Sequence, residues 1–406
     1  MSDGSIYDSL DVPTVINAAG TKTRIGGSRI REEALEAMAD AADSFVRLSD
    51  IQAAASDRIA DATGAEAGYV TNGAAGGLLL SAAACIAGTD PGRMARLPDT
   101  KGIPDEIIMP RTHRTAYDHA LRTAGATIVD VGTNDPYLGT GSRSVEPWEY
   151  TAAVSEQTVA IGHVYKSYGS PPLETVCELA HRHDLPVIVD AAAEVPPPDN
   201  LSWFTEQGAD LVVFSGGKGI RGPQTTGILA GRAELVESVA FQHLDTHAAA
   251  EVWNPPKRLL DAESIDGVPR QGVGRPLKVG KEELAGLLRA LQCFIEEDHE
   301  KRSAEWSARA TRLAGSLDEL DHVSTVISDG QKSVAPEVSV HIDEEHAPLS
   351  AVELVRALED EDPRVFVGSD SLDRGQIALN PMCLTDAEAE YVVERLVHHL
   401  RPEPEP

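Results

Sequence analysis

Short apolar runs alternate with longer stretches of helical spacing through the first half of the chain. The apolar runs predict buried strands over residues 67–70, 107–109, 127–131, 159–161, 187–190 and 211–215. The stretches between them predict helices over residues 31–63, 78–86, 117–124 and 173–183. Because strand, turn and helix alternate without a hairpin signal, we expect an α/β domain with a mostly parallel central sheet and helices on both faces.

The pattern after residue 232 predicts a second, smaller domain. Helical spacing continues over 282–317 as one long amphipathic helix, and the segment beyond it has the pattern of an α+β unit. Its predicted strands cover 335–342, 364–367 and 375–379, and its predicted helices cover 350–359 and 385–400. The resulting division is an N-terminal arm (1–30), a large domain (31–285), a linking helix (286–317), a small α+β domain (318–400) and a disordered tail (401–406).

One lysine, Lys218, lies in a tight connection between an apolar run and its predicted partner strand, flanked by Gly216, Gly217 and Gly219. A buried ammonium must be paired or lose its proton, and an amine with a lowered pKa attacks carbonyl groups to form a Schiff base. An earlier strand ends in Asp190. A lysine that carries the aldehyde and an aspartate that keeps the pyridine nitrogen protonated are what a pyridoxal phosphate enzyme needs. The alternative is a solvated lysine on a glycine-rich turn.

The ends of the predicted strands carry the candidate binding residues, since ligands of parallel sheets bind beyond the carboxyl ends of the strands. The run 71–77 joins a strand to an apolar helix through small residues, and its free N–H groups predict a phosphate cradle. The alternative is a close helix–strand contact that needs small residues. His113 is either a solvated loop histidine or a ring stacked on the pyridine. The residues expected to converge are Asn72, Gly73, His113, Thr133, His163, Asp190, Ser215 and Lys218.

Two regions carry cations that are candidates for anion binding. The segment 268–281 is glycine-rich and basic in an otherwise acidic chain, with the cations Arg270, Arg275, Lys278 and Lys281. They indicate a bound anion or, as the alternative, a basic helix start paired with the two glutamates that follow. Arg24, in a glycine-rich segment, belongs either to a flexible arm or to a loop over the active site, where it would bind a carboxylate or phosphate. The candidate substrate-binding residues are therefore Arg24, Arg275 and Lys278.

The composition argues against binding to nucleic acids or membranes and against secretion. The 406 residues carry 65 acidic and 35 basic side chains, a net charge of −30, which repels nucleic acids and anionic membranes. No apolar run approaches the roughly 20 residues that span a bilayer. The first residues lack the basic and apolar regions of a secretory signal, so we expect a cytoplasmic protein. The few lysines and many carboxylates favour a salt-adapted cytoplasm.

The cysteines and histidines form no pattern typical of a metal site. The four cysteines are scattered without a Cys-x-x-Cys pair, which predicts reduced thiols in the core. His243 and His247 share a helical face but have no acidic partner at metal-binding spacing. We therefore predict no metal.

Six motifs together resemble one family of enzymes. They read Asn17-Ala-Ala-Gly-Thr, Gly64-Ala-Glu-Ala-x-Tyr-Val-Thr-x-Gly-Ala-Ala, Val131-Gly-Thr-Asn, Asp190-Ala-Ala-Ala-Glu, Ser215-Gly-Gly-Lys-Gly-x-Arg-Gly-Pro-Gln and Gly274-Arg-Pro-x-Lys-Val-Gly-Lys-Glu-Glu. This combination is similar to the pyridoxal phosphate enzymes related to bacterial selenocysteine synthase (L-seryl-tRNA selenium transferase). It most resembles the branch that includes D-glucosaminate-6-phosphate ammonia lyase, over roughly residues 15–395.

The resemblance implies an aspartate-aminotransferase-like fold (fold type I) and an active site at the subunit interface of a homodimer or larger homo-oligomer. It implies that Lys218 carries the cofactor, that Asp190 is the partner of the pyridine nitrogen and that His113 is the stacking ring. The phosphate cradle it implies consists of Asn72, Gly73, Ala74 and Ser215. Selenium transferases resemble this chain only after an N-terminal tRNA-binding domain, whereas the match here starts by residue 15, so no nucleic-acid partner is expected.

The predicted function is that of a pyridoxal phosphate-dependent lyase. Its expected substrate is a small anionic 2-amino-3-hydroxy acid, with or without a phosphate group. Lys218 removes the Cα proton, the β-hydroxyl leaves, and the product hydrolyses to a 2-oxo acid and ammonia. The alternatives are another pyridoxal phosphate reaction (aldol cleavage, racemisation or transamination), a tRNA-dependent selenium transfer, and a non-catalytic scaffold in which Lys218 is an ordinary turn lysine.

Overall fold

The computed structural model describes residues 5–132, 145–167, 169–245, 248–328 and 334–401. These residues form two compact units. The larger unit is Ile30–Glu297, and the smaller one combines the described residues up to Arg29 with those from Asp298 onward. The segment predicted as an N-terminal arm contains α1 (Ile6–Ser9) and β1 (Val15–Ala18), and it folds with the C-terminal part of the chain. Of the predicted tail, only residue 401 lies within the described residues.

A seven-stranded sheet forms the centre of the larger unit. Its strands are β2 (Ala67–Asn72), β3 (Glu106–Pro110), β4 (Thr127–Val131), β5 (Thr158–Val164), β6 (Val187–Asp190), β7 (Leu211–Ser215) and β8 (Thr226–Gly231). Their order across the sheet is β2-β8-β7-β6-β5-β3-β4. The pairs from β7 to β4 are parallel, and β8 runs antiparallel to both β7 and β2. The prediction of a mostly parallel sheet is confirmed.

Helices cover both faces of this sheet. They are α2 (Glu32–Ala42), α3 (Leu48–Thr63), α4 (Gly73–Ala87), α5 (Pro91–Arg96), α6 (Asp118–Thr123), α7 (Pro147–Ala153), α8 (Leu173–His181), α9 (Asn200–Glu206), α10 (Ala233–His243) and α11 (Lys281–Glu296). Successive strand residues point to opposite faces. In β7, Leu211 and Val213 pack in the core with α4 and α10, whereas Val212 and Phe214 pack in the core with α3, α8 and α11. The sheet is therefore buried on both sides, as its continuous apolar strands predict.

The long helix predicted over 282–317 is wrong as a single element. Helix α11 ends at Glu296, and Glu297 has an extended backbone. The Asp298 side chain then caps α12 (His299–Leu317) by accepting a hydrogen bond of 2.9 Å from the N–H of Lys301. The residues on both sides of the break are good helix formers, so helical propensity does not reveal it. The predicted linking helix over 286–317 is corrected to two helices.

The smaller unit is α+β, as predicted. Its further strands are β9 (Val323–Ile327), β10 (Val338–Ile342), β11 (Arg364–Val367) and β12 (Gln376–Leu379), and its further helices are α13 (Ala351–Glu359) and α14 (Asp386–Leu400). Strands β12, β10 and β9 form an antiparallel sheet in that order, and β11 pairs with β1 in parallel. Strand β9 escapes prediction because only its first residue is buried. Among the described residues, no helix is long and apolar enough to cross a bilayer.

Candidate active site

Three parallel strands end side by side at one edge of the large sheet. The register places Val164 of β5 beside Asp190 of β6, and Asp190 beside Val213 of β7. Asp190 is the last residue of β6, and Ser215 is the buried last residue of β7. The sheet therefore brings Asp190 to the same edge as the connection that contains Lys218, as expected for parallel strands.

That connection, residues 216–222, is called the lysine turn below. The N–H of Gly216 donates to the carbonyl of Thr226 at 2.8 Å, and the N–H of Gly222 donates to the carbonyl of Gly216 at 2.8 Å. The carbonyl of Lys218 accepts a hydrogen bond of 3.0 Å from the N–H three residues later. The backbone is thus fixed on both sides of Lys218, whose side chain is half-buried.

Close packing accounts for the glycines of the lysine turn. A Cβ atom on Gly216 would lie 2.2 Å from Oγ1 of Thr226, and one on Gly219 would lie 2.0 Å from the carbonyl oxygen of Val195. Both distances are far shorter than a real carbon–oxygen contact. Glycine at these positions lets the turn pack directly against β8 and against the segment that follows β6.

The Asp190 carboxylate is held by its own turn. Its Oδ1 accepts a hydrogen bond of 3.0 Å from the N–H of Ala192, and its backbone carbonyl accepts one of 3.0 Å from the N–H of Tyr165. Burial raises the pKa of Asp190, while the Ala192 N–H and the charge of Lys218 act in the opposite direction. Asp190 therefore lies within electrostatic reach of Lys218, where a cationic ring nitrogen would stabilise its ionised form.

Two buried histidines pack against each other at the same edge. His113 ends a 3₁₀ turn after β3, His163 lies on β5, and their rings meet edge to face with centroids 4.6 Å apart. Nδ1 of His113 accepts a hydrogen bond of 3.2 Å from the N–H of Val164, so Nε2 carries the proton. Burial lowers the pKa of His113 to about 3 and that of His163 to about 4. Both rings are therefore neutral at physiological pH.

The N-terminus of α4 is the candidate phosphate-binding element. Gly73 has a φ of +65° with open space beside its Cα, and its N–H donates to the carbonyl of Thr225 at 2.7 Å. The side chain of the N-cap residue, Asn72, makes no capping hydrogen bond, and the first-turn N–H of Ala74 has no acceptor within the helix. The Asn72 side chain donates instead to the carbonyl of Lys278 at 3.1 Å. A helix start of this kind favours an anion.

The start of β8 joins this helix start to the lysine turn. A Cβ atom on Gly227 would lie 2.5 Å from the carbonyl carbon of Gly73 and 2.7 Å from the nitrogen of Ala74, so β8 packs directly against the helix start. Two adjacent carbonyls at the start of β8 accept the N–H bonds of Gly73 and Gly216 described above. The start of β8 therefore contacts both the start of α4 and the lysine turn.

Arg275 lies at the C-terminus of α10. Its guanidinium donates to three backbone carbonyls there, those of Phe241, His243 and Leu244. Burial lowers the pKa of Arg275 to about 10, so the group stays charged at neutral pH. A cation at a helix C-terminus also interacts favourably with the helix dipole. These contacts account for the placement of Arg275, and its role in substrate binding stays a prediction.

The other cations of the basic segment differ in their surroundings. Arg270 donates to the carbonyl of Ala248 at 2.7 Å, and Lys281 pairs with Glu282 at the start of α11. Lys278 is exposed and lines an open cavity of about 1010 Å³. Within the described part of the chain, the Lys278 ammonium has no ion pair. Lys278 is thus the cation of this segment best suited to bind an anion.

Some predicted positions belong to the smaller unit or fall outside the described residues. Arg24 belongs to the smaller unit, where its exposed guanidinium lies over the ring of Phe366, 5.5 Å from the centroid. Its role in substrate binding stays a prediction. Thr133 and His247 lie outside the described residues. Across the described ranges, no group of three or more His, Cys, Asp or Glu side chains could hold a metal ion.

Two side chains at the strand ends were missed from the sequence. Lys166 follows β5, donates to the carbonyl of Thr112 at 2.6 Å, and has its pKa lowered by burial. Glu194 is half-buried, and burial raises its pKa to about 7, with the charge of Asp190 adding to the rise and that of Lys218 opposing it. Glu194 ends the motif that begins at Asp190. Its position shortly after the end of a strand is the sequence feature from which it could have been predicted as a site residue.

These groups fit pyridoxal phosphate. The uncapped start of α4 offers N–H donors to a phosphate, Asp190 is a buried acid for a ring nitrogen, and Lys218 is an amine for an aldehyde. The neutral ring of His113 can stack on a heteroaromatic ring. Nδ1 of His163 is buried and has no hydrogen-bond partner among the described residues, which leaves a polar atom available to a ligand.

Known proteins resemble the chain over nearly its whole length. The aminotransferase class-V family model matches residues 105–254. A 5'-C-glycyluridine monooxygenase-decarboxylase of Streptomyces sp is 31% identical over 402 residues, which cover 96% of this chain and 90% of that protein. D-glucosaminate-6-phosphate ammonia lyase of Salmonella typhimurium (strain 14028s) is 27% identical over 401 residues, which cover 97% of each protein.

A solved structure of D-glucosaminate-6-phosphate ammonia-lyase has the same fold. Its TM-score to this chain is 0.79 at 26% sequence identity, and the alignment covers 98% of this chain and 100% of that chain. The fold predicted from the sequence motifs, fold type I with a smaller α+β unit, is therefore confirmed.

Proposed function

This chain belongs to the family of pyridoxal phosphate enzymes that includes D-glucosaminate-6-phosphate ammonia lyase and L-seryl-tRNA(Sec) selenium transferase, and on that premise we propose that it is a lyase. It is an enzyme, and its cofactor is pyridoxal 5'-phosphate. The proposed substrate is a small anionic 2-amino-3-hydroxy acid, with or without a phosphate group. The net products are a 2-oxo acid and ammonia, because the water that leaves is matched by the water that hydrolyses the enamine. The observation that supports this reaction is a half-buried lysine within electrostatic reach of Asp190, in a chain that matches an ammonia lyase over 97% of its length.

Each group at the strand ends has one task in this reaction. When bound, the cofactor takes up the electron pair released at Cα. Lys218 holds the cofactor and removes the Cα proton, because its amine can lose its own proton in a half-buried position. Asp190 keeps the ring nitrogen protonated, and His113 covers the ring. Phosphate binding is assigned to Asn72, Gly73, Ala74 and Ser215, with His163 as a further neighbour of the cofactor.

We assign the anionic end of the substrate to Lys278. Its ammonium is exposed, and its own backbone carbonyl accepts the hydrogen bond from the Asn72 side chain at the start of α4. An exposed cation without an ion pair attracts small anions. We expect the enzyme to act as a homodimer or a larger homo-oligomer.

Absorbance spectroscopy of the purified holoenzyme tests this function first. The wild-type protein should show a band near the visible edge that borohydride removes, and the Lys218→Ala variant should lack it. Lys257→Ala is the control, because the Lys257 side chain is 75% exposed. The wild type should then release ammonia and a 2-oxo acid from hydroxy-amino acids. A wild type without the band after added pyridoxal phosphate would contradict the assignment of Lys218.

Oxidative decarboxylation is the second candidate function. It is favoured by the 31% identity to the Streptomyces monooxygenase-decarboxylase. That class of reaction consumes oxygen and releases carbon dioxide, whereas elimination consumes no oxygen and releases ammonia. Measuring oxygen, carbon dioxide and ammonia in one incubation separates the two. Oxygen uptake with carbon dioxide release, and no 2-oxo acid, would replace the lyase proposal.

A further inference from the structure

Glu194 lies in the turn that follows β6, and its backbone is fixed on both sides. Its N–H donates to the carbonyl of Ala191 at 3.1 Å, and its carbonyl accepts a hydrogen bond of 2.6 Å from Nδ2 of Asn200. The carbonyl of the next residue, Val195, packs against Gly219. A Cβ atom added to Gly219 would lie only 2.0 Å from the carbonyl oxygen of Val195. Glu194 is therefore held directly beside the lysine turn.

The Glu194 carboxyl group interacts electrostatically with three titratable groups, Asp190, Lys218 and Tyr165. Burial raises its pKa to about 7, the charge of Asp190 adds to the rise, and the charge of Lys218 opposes it. Burial also raises the pKa of Tyr165, and the charge of Glu194 contributes to that rise. Within the described part of the chain, the Glu194 carboxyl group has no hydrogen bond or ion pair. It is therefore available to exchange a proton at physiological pH.

The proposed elimination needs a proton donor of this kind. Hydroxide is a poor leaving group, so the departing oxygen must be protonated as the bond breaks. Lys218 is occupied with the Cα proton, and Asp190 is required as an anion. His113 and His163, with pKa values of about 3 and 4, carry no acidic proton at neutral pH.

Lys166 is the remaining cation identified at these strand ends. Its ammonium donates to the carbonyl of Thr112 at 2.6 Å. Tyr165 keeps its proton at neutral pH, because burial raises its pKa further. Among the groups described at this edge of the sheet, Glu194 is therefore the one whose pKa of about 7 lets it both hold and release a proton at neutral pH.

We propose that Glu194 is the catalytic acid that protonates the departing β-hydroxyl group; this assignment rests on the proposed lyase function. The amine of Lys218 takes the Cα proton, the Cβ–O bond breaks, and its electron pair stays on the oxygen. Glu194 transfers its proton to that oxygen, which leaves as water. Glu194 is then a carboxylate beside the Lys218 ammonium, and transfer of one proton from Lys218 to Glu194 restores both groups.

A change of leaving group tests this role in the holoenzyme. Glu194→Gln keeps the size of the side chain but has no proton to give, and Glu178→Gln on the exposed surface of α8 is the matched control. With serine of either configuration as the probe, ammonia release by Glu194→Gln should fall by about 10²–10⁴-fold. With β-chloroalanine, whose chloride leaves without a proton, the variant should keep the wild-type rate. An equal loss with both probes would overturn the proposal.

The pH dependence provides a second readout. A carboxyl group whose pKa is raised to about 7 holds its proton below that pH and loses it above. Elimination from serine should therefore slow as the pH rises through about 7 in the wild type and in Glu178→Gln. The same fall should be missing for β-chloroalanine. A fall of equal size with both probes would assign the titration to another group and overturn the proposal.

An infrared titration tests the group without turnover. The C=O stretch of a protonated carboxyl group should titrate with a midpoint of about 7 in the wild-type holoenzyme and in Glu178→Gln, and it should be missing from Glu194→Gln. If the wild type lacks this titration but eliminates from serine, the acid role fails and the lyase function stands. If the titration is present but neither probe is eliminated, the lyase function fails, and the acid role fails with it.

Discussion

The lysine turn and the basic segment are similar in composition but have different surroundings. Both are rich in glycine, and both carry a partly buried cation, Lys218 in one and Arg275 in the other. In the lysine turn the cation lies within reach of two carboxyl groups, Asp190 and Glu194. In the basic segment Arg275 donates to the carbonyls that end α10. A cation among acids can exchange protons, whereas a cation on helix carbonyls stabilises a helix end.

The chemical type of each cation fits its surroundings. Burial lowers the pKa of Arg275 only to about 10, so its guanidinium remains charged and cannot serve as a base at neutral pH. A lysine amine loses its proton more readily when it is desolvated. The contrast between the two segments therefore predicts a loss of activity on changing one and a loss of stability on changing the other.

The largest effect is expected for Lys218→Ala. Ammonia release should fall by about 10⁴-fold, because the base and the attachment point of the cofactor are lost together. Steady-state ammonia release measures this, with Lys257→Ala as the exposed control. A variant that keeps a tenth or more of the wild-type rate would contradict the role of Lys218 as the base.

Gly219→Ala should give the next largest effect. The added Cβ atom would lie 2.0 Å from the Val195 carbonyl oxygen, so the backbone of the lysine turn must move. We expect a loss of about 1–3 kcal/mol in the free energy of unfolding, together with weaker cofactor binding. Denaturant unfolding and cofactor titration measure the two effects.

The matched control for this substitution is Gly315→Ala in α12. Apart from the backbone of its own helix, none of the described residues has an atom within 4 Å of a Cβ added there, so the substitution should be neutral or stabilising by up to about 1 kcal/mol. Equal stability of the two variants would show that the turn is not closely packed.

Arg275→Met should lower the free energy of unfolding by about 1–2 kcal/mol, because three carbonyls at the end of α10 lose their donor. The KM for the substrate should stay unchanged if Arg275 serves the helix end. Unfolding and steady-state kinetics on the same preparation test both statements. A raised KM at unchanged stability would instead make Arg275 a binding residue.

The smallest effect is expected for Lys278→Ala. The free energy of unfolding should change by less than about 0.5 kcal/mol, since the side chain is exposed. The KM should rise by up to about fivefold, the equivalent of about 1 kcal/mol for an exposed ion pair. High salt should reduce the difference from the wild type. An unchanged KM at low salt would assign the substrate anion to other residues.

The sheet could be predicted because its strands are continuous apolar runs. Strands such as β6 and β7 are buried on both faces, so every residue carries the signal, and their last residues mark the edge of the site. Strand β9 has only one buried residue and carries no such signal. The break between α11 and α12 depends on the cap by Asp298, which a run of good helix formers conceals.

The site could be predicted in part for a related reason. Lys218 and Asp190 stand at strand ends in motifs whose chemistry is specific. The contact of Arg275 with α10 joins residues far apart in the chain, so no local pattern shows it. The raised pKa of Glu194 depends on burial and on neighbouring charges, which exist only after folding.

The hydrogen bond from the Gly73 N–H to the Thr225 carbonyl affects how motion at this site can be observed. Amides in the first turn of a helix usually exchange quickly with deuterium, because helix ends fray. This amide is bonded to a carbonyl outside its own helix, next to β8. Its exchange rate therefore measures separation of the strand from the helix rather than unwinding of α4. A single backbone position thus reports on local opening of the site in the intact protein.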